Sequence, residues 1–393
     1  MFNNFDEFSN WLEISKNFNS QTIKDIYAFI AKFPMADFED YIKVSKKLSE
    51  GSSIEEVIAR YQKHIQSIGE KEDDDFIEVA KMTDCLEEMI LIMNKGLLKG
   101  ETTHISIVDE CWKWRKGEVS ALTGNNNDGK SLLMRTFCLI KGIASSWKTA
   151  CYAPEDYPAS SFFDELIHTA SGYSTDKENP EFISEELYRK VYDQIKEYFT
   201  FINIRPPKNT LENVLSSFIP LIEKDGVNIC IIDPILKVAR PKEYLNNDAQ
   251  WASYLTGVCT DFARKYQICL VLVIHQTTPK IVEGTGVYAK PDKYSIRNGG
   301  SISDGLDNVL FLQRPDAPKD LISTTVRFGS LKIKKQKLVG IPQDIMFKFN
   351  RRTNRYIDEL YEKDLFDFDK HLDIPRLKFK FLGKKHNPQM NLI

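Results

Sequence analysis

Apolar and polar positions follow two regimes along this chain. Over residues 1 to about 70 the apolar side chains recur at helical spacing. Phe5, Phe8, Trp11 and Leu12 share one face, and Ile23, Ile26, Ile30 and Phe33 share another that Pro34 ends. Ser53-Ile54-Glu55-Glu56 has the form of a capping box, opening a helix with Ile54, Val57, Ile58, Tyr61, Ile65 and Ile68 that stops at Gly69. The charged run Glu70 to Asp75 breaks the pattern, and a further apolar helix is expected from about Phe76 to Asn94. From about Gly100 to Asp358 short apolar runs alternate with helical ones, the pattern of a mostly parallel α/β sheet. The expected division is a small helical N-terminal assembly or partner domain (1–70), a linker with its helix (71–99), an α/β domain (100–358) and a tail (359–393). In the tail Leu377, Phe379 and Phe381 alternate with Lys378 and Lys380, which suits a strand added to a sheet edge.

Within the α/β region the expected strands are Glu118–Thr123, Thr149–Ala153, Phe199–Ile204, Val227–Asp233 and Ile268–Ile274. Helices are expected from about Thr210 to Lys224 and from about Asp248 to Tyr266. Between the first strand and the apolar run Leu132–Ile140 stands Gly124-Asn125-Asn126-Asn127-Asp128-Gly129-Lys130-Ser131, which fits the phosphate-binding P-loop pattern. Its two outer glycines let the backbone curl around a ligand, and the curled amides with the following helix N-terminus form a nest for an anion. Lys130 would neutralise β- and γ-phosphate charge, and the Ser131 hydroxyl would hold Mg²⁺; residues Gly124 to Leu132 form the nucleotide-binding set.

Three later strands end in polar residues, and ligands of open α/β sheets sit at such carboxyl ends. Asp233 closes an apolar strand, the position of a second Mg²⁺ ligand opposite Ser131. Glu155 follows another strand and could orient and deprotonate an attacking water, with Asp156 as its competitor. His275 and Gln276 end a third, where a polar group could sense the γ-phosphate. The loop from Thr277 to Tyr294 reads as structureless and carries Lys280, Lys290 and Lys293, a candidate nucleic-acid contact.

Bulk properties limit these readings. The 393 residues have 53 Lys and Arg against 56 Asp and Glu, a net charge of −3, so any nucleic-acid surface has to be local. The seven cysteines form no C-x-x-C pair and most lie in apolar segments, which fits a reduced compartment and argues against a zinc site. The acidic start has no apolar h-region, and no apolar run reaches transmembrane length, so a cytoplasmic location without a membrane partner is expected.

The segment from Ser295 to Leu312, with Arg297-Asn298-Gly299-Gly300-Ser301-Ile302 and Asp307, resembles the D-L-R-E-S-G-S-I-x-x-x-A-D segment of DnaB-type hexameric replicative helicases of superfamily 4. The order of P-loop, glutamate, apolar strand with acid, sensor strand and this segment fits that family over about residues 96 to 358. The resemblance implies a RecA-like P-loop NTPase core and a ring, usually hexameric, with ATP and Mg²⁺ between subunits. Single-stranded DNA would thread the channel. Residue by residue it implies Glu155 as catalytic base, with Arg297, Asn298 and Gly300 on the DNA backbone. Where the family has a strand with K-x-R reaching the neighbour's site, this chain has Lys335-Gln336-Lys337, so Lys337, or Arg351 or Arg352, would act in trans. With no zinc-ribbon or primase pattern, the short front end implies a bacteriophage version acting as helicase alone, in the host cytoplasm. Primase, polymerase or loader would meet its N-terminal helices or tail. A RecA- or RadA-like recombination ATPase and a slowly turning nucleotide-binding loader or adaptor are the alternatives.

Overall fold

The computed structural model describes residues 81–97, 99–277, 279–296, 300–359 and 362–366. The helices expected over residues 1–70 and the strand expected over 377–381 lie outside them. The chain divides into two compact units, Met1–Leu91 and Ile92–Ile393.

The helix expected from Phe76 to Asn94 is shorter where it is described. Lys81 is extended, Met82–Asp84 forms a 3-10 turn, and helix α1 is Leu86–Lys95. The Asp84 carboxylate accepts from the Lys81 amide at 3.2 Å, a local bond that competes with the helical ladder.

Downstream, the elements run α2 (Ser106–Cys111), β1 (Val119–Gly124), α3 (Lys130–Ser145), β2 (Lys148–Tyr152), α4 (Ala159–Ser171), α5 (Glu185–Ile195), β3 (Phe199–Ile202), α6 (Leu211–Asp225), β4 (Val227–Ile232), α7 (Asp248–Tyr266) and β5 (Cys269–His275). Then follow α8 (Gly300–Gly305), β6 (Asn308–Gln313), β7 (Thr325–Ile333), α9 (Gln336–Val339), β8 (Asp344–Asn350), β9 (Arg355–Asp358) and β10 (Lys363–Asp364). Local chemistry sets several boundaries. Thr210 caps α6 by accepting from the Asn213 amide, Asn247 caps α7 by accepting from Gln250, and Gly226 ends α6 in the left-handed region at φ 72°.

These strands form one ten-stranded sheet in the order β10-β9-β8-β7-β6-β1-β5-β4-β2-β3. From β3 to β6 every pairing is parallel, and from β6 to β10 every pairing is antiparallel. β1 lies between β5 and β6, with Gly124 opposite His275. The sheet is buried on both faces. One core joins Leu122, Ile231 and Val273 to α3, α4 and α5 through Phe137, Phe162 and Val191. The other joins Ala121, Cys230 and Leu272 to α6 and α7 through Phe218 and Leu255. Near-continuous apolar strands such as β4 are what a doubly covered parallel sheet requires.

Two expectations change. The sheet does not stop at Asp358: β10 pairs antiparallel with β9, and Leu365 and Phe366 are buried behind it. The basic strand expected over Leu331–Lys337 ends at Ile333; Lys335 precedes α9, and Lys337 lies within it.

Candidate active site

The right-handed crossovers of a parallel sheet bring the carboxyl ends of β1, β2, β4 and β5 to one edge. The P-loop joins β1 to α3 there. Gly124 has no room for a side chain, since a Cβ would run into the Leu312 carbonyl oxygen of β6. Gly129 has φ +91°, which favours glycine, and its carbonyl accepts from the Tyr356 hydroxyl at 3.2 Å. Asp128 braces the loop from inside: its carboxylate accepts from the Asn125 amide at 2.8 Å and from the Arg314 backbone amide just after β6. Burial pushes the Asp128 carboxyl up, and these bonds and Lys130 oppose the shift.

Lys130 is buried, and its ammonium donates to the Asn125 carbonyl at 2.7 Å. Burial lowers its affinity for a proton, while Asp128, Asp233 and Glu155 hold the charge on it. The two expected metal ligands meet: the Ser131 hydroxyl hydrogen-bonds the Asp233 carboxylate at the end of β4. Burial pushes the Asp233 carboxyl up, and Arg135 and Ser131 counter it. No group of three or more His, Cys, Asp and Glu side chains forms a metal cluster among the described residues. A hydroxyl with one carboxylate is instead the protein share of a site for a hard cation whose other ligands are phosphate and water, so the residues fit Mg²⁺.

Glu155 and Asp156 lie in the 3-10 turn Pro154–Asp156 after β2, and the structure separates them. Glu155 is half-exposed and pairs with Lys237 at 3.1 Å. Asp156 is gripped by Arg135. At the end of β5, the Gln276 amide donates to the Gly124 carbonyl at 3.1 Å. Among the described residues the buried side-chain amide nitrogens of Asn125 and Gln276 have no protein partner. Two unpaired donors beside a nest of backbone amides suit an anionic ligand.

The DNA-contact candidates fare differently. Arg297 and Asn298 lie outside the described residues. Gly300 opens α8, where a Cβ would meet the Tyr294 ring at 2.8 Å. The loop expected to be structureless contains a hairpin: Ile281 bridges Tyr288, Val282 and Val287 are hydrogen-bonded at 2.9 Å, and Gly284 and Gly286 turn it at φ 72° and 66°. Alternating Ile-Val and Val-Tyr around two glycines is a hairpin signal that the loop reading passed over. Lys280 is exposed at its base. Lys290 pairs with Asp344 at 2.5 Å and Lys293 with Asp304 at 3.5 Å. Gln276 bridges Ile296, and the Thr277 amide donates to the Ser295 carbonyl at 2.8 Å, so the exit of β5 is laddered to the residues just before Arg297.

Lys335 and Lys337 do not join the P-loop of their own chain. β7 runs antiparallel to β6, so its exit lies by Asn308, at the opposite end of the strands. There Lys335 faces Glu118 at 3.5 Å. Arg351 and Arg352 sit in the β8–β9 turn, bonded to the Ile322 carbonyl and to Glu181.

Two residues at the site escaped sequence reasoning. Tyr356 reaches Gly129 across 227 positions, and nothing local marks it. Arg135 had a signal: a lone charge in the apolar run Leu132–Ile140, one helical turn after Ser131.

No protein-family model and no curated protein matches this sequence. Solved structures do match. An ATPase domain solved on its own aligns with a TM-score of 0.58 at 14% identity, covering 72% of this chain and 99% of that one. A DnaB-like replicative helicase, described with its interactions with primase, aligns with a TM-score of 0.58 at 13% identity, covering 86% of this chain and 78% of that one. The chain therefore has the RecA-like fold of DnaB-like helicase ATPase domains.

Proposed function

We propose that this chain is an ATP-hydrolysing replicative DNA helicase that assembles into a ring, translocates on single-stranded DNA and unwinds duplex at a fork. The observation that carries the reading is the meeting of Ser131 with Asp233 beside Lys130, at the edge where Glu155 and Gln276 also emerge. Fold likeness to helicase ATPase domains, one of them described with primase, supports it. Mg²⁺ held by Ser131 and Asp233 would neutralise charge on the transferred phosphate.

The chain's own groups do the rest. Loop amides and Lys130 hold the β- and γ-phosphates, and the side-chain amides of Asn125 and Gln276 can donate to them. Glu155 takes a proton from the attacking water. Lys237 is its current partner and has to release it for that role. The end of β5 touches Gly124 on one side and the Ser295–Ile296 segment on the other. A change at the γ-phosphate can therefore pull on Arg297 and Gly300, the proposed DNA-backbone contacts, and on the Lys280 hairpin. Phosphate contacts of this kind grip without reading sequence. The opposite placement of Lys335 and Lys337 suits action on a neighbouring subunit. A primase, polymerase or loader partner at the terminal regions and a bacteriophage source complete the reading.

The test is unwinding of a forked duplex with ATP and Mg²⁺, with ATPase measured with and without single-stranded DNA and mass read in parallel. Strand separation by a ring is expected, and Lys130→Ala is expected to lower ATP turnover by roughly 100-fold or more. Filaments with DNA-stimulated hydrolysis and no unwinding would indicate a recombination ATPase. ATP binding without turnover would indicate a loader.

A further inference from the structure

Arg135 sits on the sheet-facing side of α3, one turn beyond Ser131, with its side chain 3% exposed. Its Nη1 donates to Glu165 Oε2 at 2.6 Å. Its Nη2 donates to Asp156 Oδ2 and lies 3.8 Å from Asp233 Oδ2. The guanidinium carbon is 4.6 Å from the centroid of the Phe162 ring, which fixes the plane of the fork. One buried cation thus meets carboxylates from the turn after β2, from α4 and from the end of β4.

As filler this would be a poor choice. An apolar residue of similar volume packs a core at least as well as a buried ion group, which has to offset several kcal/mol of desolvation. The arrangement makes sense through what the carboxylates do. Asp233 bonds Ser131, so whatever fixes Asp233 fixes the protein side of the cation site. Asp156 adjoins Glu155, so whatever holds Asp156 holds the turn from which Glu155 projects toward Lys237. A lysine could not do this, because a point charge lacks the planar fork that meets separate oxygens at once.

We propose that Arg135 is a positioning residue of this site: anchored by Glu165 and Phe162, its guanidinium aims Asp233 at Ser131 and pins the turn that presents Glu155. Asp156 is then an anchor, and the base is Glu155. The inference rests on the reading of the site as an Mg²⁺-dependent ATPase.

The experiment uses the full chain and the variants Arg135→Lys, Arg135→Gln, Glu165→Gln, Asp156→Asn and Glu155→Gln. Binding of a fluorescent ATP is measured with and without Mg²⁺, and turnover is measured across an Mg²⁺ titration. Residues that orient metal ligands typically change metal affinity or activity by roughly 10- to 100-fold. Arg135→Gln is expected to raise the half-saturating Mg²⁺ by such a factor while Mg²⁺-free ATP binding stays at the wild-type level. Arg135→Lys is expected to restore only part of the loss. Arg135→Gln leaves three carboxylates facing one another and can fail to fold. Glu165→Gln keeps the cation paired, and it is expected to shift the Mg²⁺ requirement in the same direction by less. Asp156→Asn is expected to keep turnover that Glu155→Gln loses. A wild-type Mg²⁺ requirement in both Arg135→Lys and Glu165→Gln, or turnover lost in Asp156→Asn and kept in Glu155→Gln, would overturn the proposal. A wild-type chain that binds ATP without any Mg²⁺ dependence would instead sink the ATPase reading, and the positioning role with it.

Discussion

Single residues at the P-loop are constrained by backbone on every side. Gly124 faces the Leu312 carbonyl, which cannot rotate away as a side chain could. Gly124→Ala is therefore expected to destabilise the chain by about 1–3 kcal/mol through overpacking. Urea denaturation checks this as a lower midpoint at unchanged slope. Gly129 and Asp128 show a second kind of constraint, because each is tied to a strand that comes much later in the chain: Gly129 to Tyr356 of β9, Asp128 to Arg314 after β6. The motif alone announces a phosphate nest. The ties that hold the nest in shape come from residues whose local sequence says nothing of the task.

Among the elements, the hairpin from Lys280 to Ala289 has the clearest separable role. It is closed by backbone bonds between Lys280 and Ala289 and between Val282 and Val287, while Ile281 and Val282 stay exposed. Its attachment is to the loop after β6, through the Tyr288 amide on the Pro315 carbonyl and Gln313 on the Ala289 carbonyl. No P-loop residue bonds to it among the described residues. Replacing Val282–Val287 with a two-residue Asn-Gly turn is expected to leave DNA-free ATPase unchanged and to lose most of the stimulation by single-stranded DNA. Equal stimulation in the shortened chain would remove the hairpin from the DNA path. Periodicity marked β1, β2, β4, β5 and α7 to within a residue or two, because each carries an apolar pattern that only one packing satisfies. It missed this hairpin because its strands are short and its partners lie in another loop.

At the scale of the whole molecule, the seven cysteines report on the core. Cys111, Cys138, Cys151, Cys230, Cys259 and Cys269 are buried across both faces of the sheet, while Cys85 is partly exposed. Burial pushes the Cys111, Cys138 and Cys259 thiols up to about 12. The reactive species is the thiolate, so at pH 8 these groups are both neutral and closed to reagent. Native protein is expected to take up one equivalent of iodoacetamide, at Cys85, and unfolded protein seven. Mass spectrometry counts both, and rapid native labelling at Cys138 or Cys259 would contradict the packing of α3 and α7.

What the sequence determined by itself was the local and the serial: a phosphate loop between a strand and a buried helix, and two acids, Glu155 and Asp233, placed just after apolar strands. Those properties follow from spacing, because period, glycine freedom and strand-end polarity are set within a few neighbouring residues. Tertiary structure decided which of two adjacent acids stands free. Glu155 turns to half-exposed Lys237 and Asp156 to buried Arg135, a choice made by elements that approach only once the sheet has closed. It also decided that Lys335 and Lys337 sit at the far end of the strands from their own P-loop, since the antiparallel return of β7 reverses the direction of the chain.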